Sequence, residues 1–197
     1  MKNNEFKAEN SGDNRGIIVG QNSGTINLSM QSVCKLSSLI ANLVKEFGEM
    51  CNEMDYNVNE DNLQEYKLDI KLDYNSVVKY KEIIKEFSAY YSICEDCLNV
   101  YDNSNIGSKA KILKCIHLWY LEEKGEILSK KKQTGEIDID VVKHNSDEII
   151  NKVMIKIRKV VEESPEFGNL YREDIEIGIV CFTCFCFMEC KILERPI

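Results

Sequence analysis

The stretch IEIGIVCFTCFCFM, residues 175–188, is the longest apolar run in this 197-residue chain. It is shorter than the roughly 20 apolar residues that a membrane-spanning helix requires. Its valine, phenylalanine and threonine residues are compatible with a buried strand, whereas its length and the acidic opening YREDIE favour a buried helix. We predict a helix that lies in the core of the protein.

Two segments nearer the amino terminus have apolar residues at steps of three and four, which is the spacing of an amphipathic helix. One extends from Val33 to Met54 and the other from Val77 to Tyr101. In both, the apolar stripe is narrow enough to form a coiled-coil seam with a partner helix. The sequence therefore predicts two long helices that need a second surface to pack on.

Two further helices are predicted in the second half of the chain. The segment 108–128 begins at Ser108, a residue type that can cap free backbone N–H groups, and Gly125 weakens its last turn. The segment 146–163 follows Asn145, another capping residue type, and ends before the next proline. The predicted buried stripe of this last segment consists of Ile149, Val153, Ile157 and Val160.

Two stretches depart from the helical spacing because apolar and charged residues alternate in them. They are YKLDIKLDY at 66–74 and EIDIDVV at 136–142. Alternation places apolar and charged side chains on opposite faces of an extended chain, as in a half-buried strand. We predict short strands or extended segments at both places.

A glycine-punctuated repeat, GDNRGIIVGQNSGTINL, occupies residues 12–28. Asn and Gly readily adopt turn conformations, so units of the form N-x-G-x-I predict strands of only a few residues. Such strands are not stable alone, and other copies of the chain would supply both edge pairing and apolar cover. The sequence therefore predicts a homo-oligomerisation segment, and the alternative is a frayed tail. The predicted interface residues of this segment are Gly16, Ile18, Gly20, Gly24 and Ile26.

Charge and the amino terminus narrow the class of protein. The net charge of −8 opposes the phosphates of nucleic acid, so we expect no direct DNA or RNA binding. The opening MKNNEFKAENSGDN has no apolar core of the kind that a secretory signal needs. We therefore expect a cytoplasmic protein with reduced cysteines and no membrane association.

The cysteines suggest a zinc site, because Cys94-x-x-Cys97 is followed by further cysteines in the final apolar run. However, Cys94 belongs to an apolar seam, and the later cysteines alternate with phenylalanines, where cysteine behaves as a small buried hydrophobe. The sequence therefore favours no metal site. If one exists, its candidate ligands are Cys94, Cys97, Cys181 and Cys184.

The sequence shows no recognisable catalytic or cofactor-binding motif. The sequence contains no phosphate-binding loop of the G-x-x-x-x-G-K-[ST] type. Its two histidines, His117 and His144, have no recognisable catalytic spacing. We therefore expect no cofactor and no enzymatic activity of this chain.

Three stretches of the chain resemble a known family. They are LDYNSVVKYKEIIKEFSAYY at 72–91, KAKILKCIHLWYLEEKGEIL at 109–128 and FMECKILERP at 187–196. They are similar to the C-terminal domain of effector proteins in three-component bacterial defence systems built around an ABC-type, SMC-like ATPase, including the Lamassu anti-phage systems. The resemblance covers about residues 66–196. Its most specific pieces are DYN at 73–75 and the closing residues Phe187, Cys190, Lys191, Ile192, Glu194 and Pro196.

This resemblance implies a domain that tethers and regulates an effector beside the ATPase and a third, middle component. It also implies that Phe187, Lys191 and Glu194 contribute to an interface. About 30 residues precede the first predicted helix, fewer than the roughly 50 of a small independent domain. We therefore expect either a stand-alone adaptor or the regulatory part of a shortened effector.

The combined prediction is a mainly α protein, a helical bundle domain with a short N-terminal glycine-punctuated β segment. Its predicted parts are an oligomerisation segment at 1–30, an amphipathic linking helix at 31–59 and a helical C-terminal domain at 60–197. The predicted function is non-catalytic oligomerisation and docking in a multi-protein anti-phage defence complex. The alternatives are a small zinc- or thiol-dependent enzyme that uses the cysteines and a toxin that inserts the run 175–188 into membranes.

Overall fold

The computed structural model describes residues 37–53, 62–165 and 171–196, and in these residues all regular secondary structure is helical. The helices are α1 (Leu39–Glu53), α2 (Asn62–Tyr74), α3 (Lys81–Ser88), α4 (Tyr91–Ser104), α5 (Ser108–Lys131), α6 (Asp138–His144), α7 (Ser146–Glu162) and α8 (Arg172–Met188). The prediction of a mainly α helical bundle is confirmed for this part of the chain. The predicted β segment lies outside the described residues.

Helix α8 forms the centre of the core, as predicted for the apolar run. Every residue from Cys181 to Phe187 is buried, which fits a helix that is covered on most of its circumference. The ring of Phe182 lies 6.0 Å from the ring of Phe47 on α1, and Phe185 stacks on Tyr91 of α4 at 5.2 Å. No helix in the described residues is both long and apolar enough to cross a membrane.

Helices α1 and α8 touch through their backbones at two glycines. A β-carbon at Gly48 would lie 2.1 Å from the carbonyl oxygen of Asp174, and one at Gly178 would lie 2.0 Å from that of Val44. Both distances are far shorter than a carbon–oxygen contact allows, so only glycine permits this crossing. The described part of the predicted linking helix therefore packs into the same core as the C-terminal segment.

The predicted helix 33–54 begins later than expected in the described residues. The chain is not helical at 37–38, and α1 begins at Leu39 after Ser38, whose hydroxyl accepts a 3.3 Å hydrogen bond from the N–H of Ala41. This is an N-terminal cap, which places the helix start at a polar residue inside the apolar pattern. The seam residues Leu43 and Phe47 are buried within this chain.

The prediction of a strand at 66–74 is wrong, because α2 runs through it. Leu68, Lys71, Leu72 and Asn75 are all buried, and their spacing of three, one and three residues marks one face of a helix and its C-terminal turn. Two of these four inward positions carry polar side chains, which a pattern of apolar residues does not reveal. Without them, the apolar residues alternate with charged ones as they would in a strand.

The second strand prediction, at 136–142, is also wrong. Residues 136–137 form an irregular connection, and α6 begins at Asp138. Val141 and Val142 are buried although they are adjacent, whereas Ile137 is exposed, so burial does not alternate along the stretch. The adjacent pair fits the wide buried face of a short helix.

The predicted helix 77–101 is two helices, α3 and α4, separated by a turn at Ala89 and Tyr90. Residues 77–80 precede α3, where the Asp147 carboxylate accepts hydrogen bonds from the N–H groups of Val78, Lys79 and Tyr80 at 3.2, 3.0 and 3.3 Å. A carboxylate from α7 thus satisfies backbone donors at the start of α3.

Helix α5 is longer than predicted and begins differently. It continues past Gly125 to Lys131, and Ser108 is its buried first residue rather than its N-cap, which is Gly107. The preceding residue, Gly107, has a φ of +84°, a conformation that glycine adopts without strain.

Helices α5 and α7 pack side by side, and the buried carboxylate of Glu123 on α5 pairs with two lysines of α7. Glu123 pairs with Lys156 at 2.7 Å and with Lys152 at 3.3 Å.

The predicted stripe of α7 is buried at Ile149, Val153 and Ile157, but Val161 rather than Val160 completes it. A step of four residues keeps the stripe on the face that meets the core. Asn145 does not cap α7 through its side chain, which donates to the carbonyl oxygen of Val141 instead.

Candidate functional site

The chain after α8 folds back against α2 and α5, and Asn75 holds it there. The fully buried carboxamide of Asn75 donates to the carbonyl oxygens of Lys71 and Glu194, both at 2.9 Å. The N–H of Glu194 donates back to the Asn75 side-chain oxygen at 3.0 Å. One asparagine side chain thus makes three hydrogen bonds to backbone groups, two of them to a residue 119 positions away in sequence.

The Glu194 carboxylate is the second anchor of this closing segment. It accepts hydrogen bonds from the hydroxyl of Tyr120 and the ammonium of Lys124, both on α5. Burial by itself would raise the pKa of Glu194, but the hydrogen bonds from Lys124 and Tyr120 outweigh it and lower the pKa. Burial and the same carboxylate raise the pKa of Tyr120, so its hydroxyl stays protonated as the donor.

Helix α2 ends in a motif that needs a left-handed residue. The N–H of Val77 donates to the carbonyl of Leu72 at 3.0 Å, and the N–H of Ser76 donates to that of Asp73 at 3.1 Å. These are the two hydrogen bonds of a Schellman motif, and Ser76 has the required positive φ of +53°. Leu72 and Val77 are both buried, as is usual for the apolar pair of this motif.

Helix α8 ends in the same way, at the position facing the end of α2. The N–H of Lys191 donates to the carbonyl of Cys186 at 2.9 Å, and that of Cys190 to Phe187 at 3.0 Å. Cys190 has a φ of +53°, and Leu193 in the segment beyond it has a φ of +62°. Non-glycine residues in this conformation cost stability and persist only where the surroundings hold them. Here the hydrogen bonds to Asn75 and Glu194 hold the segment.

The ammonium of Lys71 joins the two helix ends. Lys71 is buried, its Nζ donates to the carbonyl oxygen of Phe187, and it lies 4.3 Å from the centroid of the Phe187 ring. A cation at this place faces the negative end of the α8 dipole and an electron-rich aromatic face. Burial lowers the pKa of Lys71, with partial compensation from nearby Cys190 and Glu189.

The structure places the predicted carboxy-terminal site residues in this one cluster, which we call the closing clasp: Lys71, Asn75, Tyr120, Lys124, Phe187, Lys191 and Glu194. Phe187 is fully buried beneath Lys71, and the Lys191 carbonyl oxygen lies 3.3 Å from Nδ1 of His117, where a ring N–H can donate to it. The other predicted interface residues, Gly16, Ile18, Gly20, Gly24 and Ile26, lie outside the described residues.

The candidate zinc ligands are buried thiols on α4 and α8. Cys94 and Cys97 lie on α4, and the Cys97 sulfur lies 3.4 Å from a carboxylate oxygen of Glu46. Cys181 and Cys184 lie on α8, where burial raises the pKa of Cys184 to about 12. In the part of the chain that the structure describes, no group of three or more His, Cys, Asp or Glu side chains is arranged to hold a metal ion.

Sequence reasoning missed Lys71, Tyr120 and Lys124. Lys71 was hidden in a stretch interpreted as a strand, although its spacing from Leu68 and Asn75 places all three on one helical face. Tyr120 and Lys124 are four residues apart on α5, and this spacing alone indicates a shared face without indicating what it binds. Comparison of the chain with protein-family models, with curated proteins and with solved structures finds no match.

Proposed function

We propose that this chain is a non-catalytic docking and regulatory component of a multi-protein anti-phage defence complex. In this proposal it forms a homo-oligomer through residues 1–30 and binds an SMC-like ABC ATPase and a middle component in the cytoplasm. The closing clasp supports this proposal because it holds residues 187–196 against a folded helical domain. In the proposal these residues form part of the docking surface.

The observation that carries the proposal is a contact between two stretches of the chain. They are the two stretches most specific to the resemblance described above. DYN at 73–75 and the ending at 187–196 are far apart in sequence, yet Asn75 hydrogen-bonds both backbone groups of Glu194. A shared site gives a physical reason for the two stretches to occur together. It also presents Arg195, which is exposed, on a segment that the clasp holds in one conformation.

The state of the cysteines favours this proposal over a thiol-dependent enzyme. Nucleophilic attack and metal ligation both require the thiolate. Burial raises the pKa of Cys184 to about 12 and that of Cys186 well above its ordinary value, so both are thiols at neutral pH. Such residues are suited to packing rather than to chemistry.

The proposal is tested by co-expressing the tagged chain with the products of the genes that flank its own, among which the proposal requires an ABC ATPase and a middle component. We expect all three to co-purify, and we expect Arg195→Glu to weaken their capture, because it reverses an exposed charge next to the clasp. The matched control is Arg172→Glu, which makes the same charge change at an exposed position on α8. Failure of the wild-type chain to capture either component would refute the docking role.

A second measurement distinguishes the proposed docking protein from a zinc-dependent enzyme. Metal analysis of the purified full-length protein should find no stoichiometric zinc. One zinc per chain that is lost in a Cys94→Ser or Cys97→Ser variant would support the zinc-dependent enzyme instead.

A further inference from the structure

A cleft of about 180 Å³ opens beside the closing clasp, between α2, α4 and the end of α8. The described residues that line it are Lys67, Leu68, Lys71, Tyr91 and Met188. An apolar cavity of roughly 150 Å³ holds one benzene ring. The cleft is therefore large enough for one ring or one branched side chain, and too small for a nucleotide.

One wall of the cleft carries a buried cation, Lys71, and among the described side chains no carboxylate forms a salt bridge with it. Lys71 is only 4% exposed, and its Nζ contacts a carbonyl oxygen, the face of an aromatic ring and the side chain of Cys190. The carboxylate of Glu189 attracts Lys71 electrostatically through space. The same carboxylate accepts a hydrogen bond from the hydroxyl of Tyr91 at 2.6 Å. Buried charges in proteins are normally paired, because an unpaired one loses its hydration without compensation.

The other residues around the cleft indicate which chemical groups a bound counter-ion would have besides its negative charge. Leu68 and Met188 present apolar surface, and Tyr91, which is stacked on Phe185 at 5.2 Å, presents an aromatic ring. Lys67 is exposed at the same cleft and adds a second positive charge. An anion with an apolar body satisfies both the cation and the apolar wall.

We propose that this cleft binds a carboxylate carried by a compact apolar group, with Lys71 as its ionic partner and Leu68, Tyr91 and Met188 around its apolar body. Two sources have this chemistry: a small free carboxylic acid, and the terminal carboxylate of a protein chain that ends in an apolar residue. The cleft shares Lys71 with the closing clasp, but this proposal does not depend on the docking role proposed above.

The test measures binding to the full-length protein by titration calorimetry, with benzoate as the charged probe and benzamide as its neutral counterpart. We expect benzoate to bind one site per chain at least about tenfold more tightly than benzamide, since a charge-assisted hydrogen bond contributes about that factor. Equal affinity of the two probes, or no saturable benzoate binding at roughly 10 mM, would overturn the proposal.

Variants then assign the site. Lys71→Met keeps the length of the side chain and removes the charge, so benzoate affinity should fall about tenfold while benzamide affinity stays unchanged. The matched control is Lys111→Met on α5, an exposed position that should leave both affinities unchanged. A Lys71→Met protein that is folded by circular dichroism and still binds benzoate as the wild type does would also overturn the proposal.

A final comparison distinguishes the two sources. The probes are acetyl-Gly-Ser-Leu with a free carboxyl terminus and the same peptide with a terminal amide. Tighter binding of the acid peptide than of benzoate would identify a chain terminus as the occupant, whereas tighter binding of benzoate would identify a small free acid. In either case the probe should bind more weakly to Lys71→Met than to the wild type. Unchanged binding to Lys71→Met would contradict the assignment.

Discussion

Asn75 and Glu194 exchange hydrogen bonds in both directions, with the carboxamide donating to the Glu194 carbonyl at 2.9 Å and accepting from its N–H at 3.0 Å. This is the pattern by which one peptide group pairs with another, but here a side chain supplies one partner. The closing segment is therefore held against α2 without any strand. Because Asn75 is fully buried, water cannot take over these bonds when the side chain is removed.

The first prediction concerns this asparagine. Asn75→Ala leaves the buried N–H and carbonyl of Glu194 without their partner, so the free energy of unfolding should fall by about 2–3 kcal/mol. Urea denaturation of the full-length protein measures the change. Asn103→Ala, at an exposed position on α4, is the control and should change stability by less than about 0.5 kcal/mol. Equal effects of the two substitutions would mean that Asn75 does not hold the segment.

The second prediction concerns the glycine crossing of α1 and α8. Gly178→Ala places a β-carbon 2.0 Å from the Val44 carbonyl oxygen, so the helices must separate. We expect a loss of about 3 kcal/mol or more in the free energy of unfolding, as for severe overpacking of a core. Thermal and urea denaturation provide the measurement.

The control for this substitution is Gly125→Ala on α5, where an added β-carbon meets no atom within 4 Å. Alanine favours the helix there, so stability should rise by up to about 1 kcal/mol. A Gly178→Ala protein as stable as the wild type would show that α1 and α8 do not cross at backbone contact.

The third prediction concerns the acid side of the stability profile. The fold lowers the pKa of Glu194 from 4.5, so its ionised form stabilises the native state. This contribution is fully present above the unfolded pKa near 4.5 and is lost as the pH falls through the lower, folded pKa. Glu194→Gln should therefore cost roughly 1 kcal/mol at pH 7, and its difference from the wild type should shrink below pH 4.5.

Denaturation with urea between pH 3 and pH 7 measures this difference. The control is Glu162→Gln, which removes a carboxylate at an exposed position on α7. A constant difference between Glu194→Gln and the wild type across this pH range would contradict the ionic role of Glu194.

The fourth prediction concerns assembly through the glycine repeat. Ile18→Asp combined with Ile26→Asp should dissociate the predicted homo-oligomer, because each buried isoleucine contributes about 1.5–3 kcal/mol at an interface. Deleting residues 1–28, or changing Gly20 and Gly24 together to valine, should have the same effect. Light scattering measures the mass, and the helical circular-dichroism signal should persist. A monomeric wild-type protein, or a truncated protein that keeps the full oligomeric mass, would rule out assembly through the repeat.

Apolar spacing alone predicted α7 and α8, whose inward positions are mainly apolar. Helix α8 was recognisable from the run at 175–188, and the stripe Ile149, Val153 and Ile157 of α7 is buried as predicted. In these helices the core is built from side chains whose burial is driven by the hydrophobic effect. The pattern in the sequence and the pattern of burial therefore agree, except at the end of the α7 stripe, where Val161 is buried in place of Val160.

Only the tertiary structure decided the elements whose inward positions are polar or whose ends lack glycine. Lys71 and Asn75 face the core of the protein because their partners are the Phe187 carbonyl and the Glu194 backbone, more than a hundred residues away. Likewise, Ser76 and Cys190 adopt left-handed conformations without the glycine that usually marks a helix end. A polar residue turns inward, and a strained one persists, only when distant groups satisfy or restrain it, and those groups become neighbours only when the chain is folded.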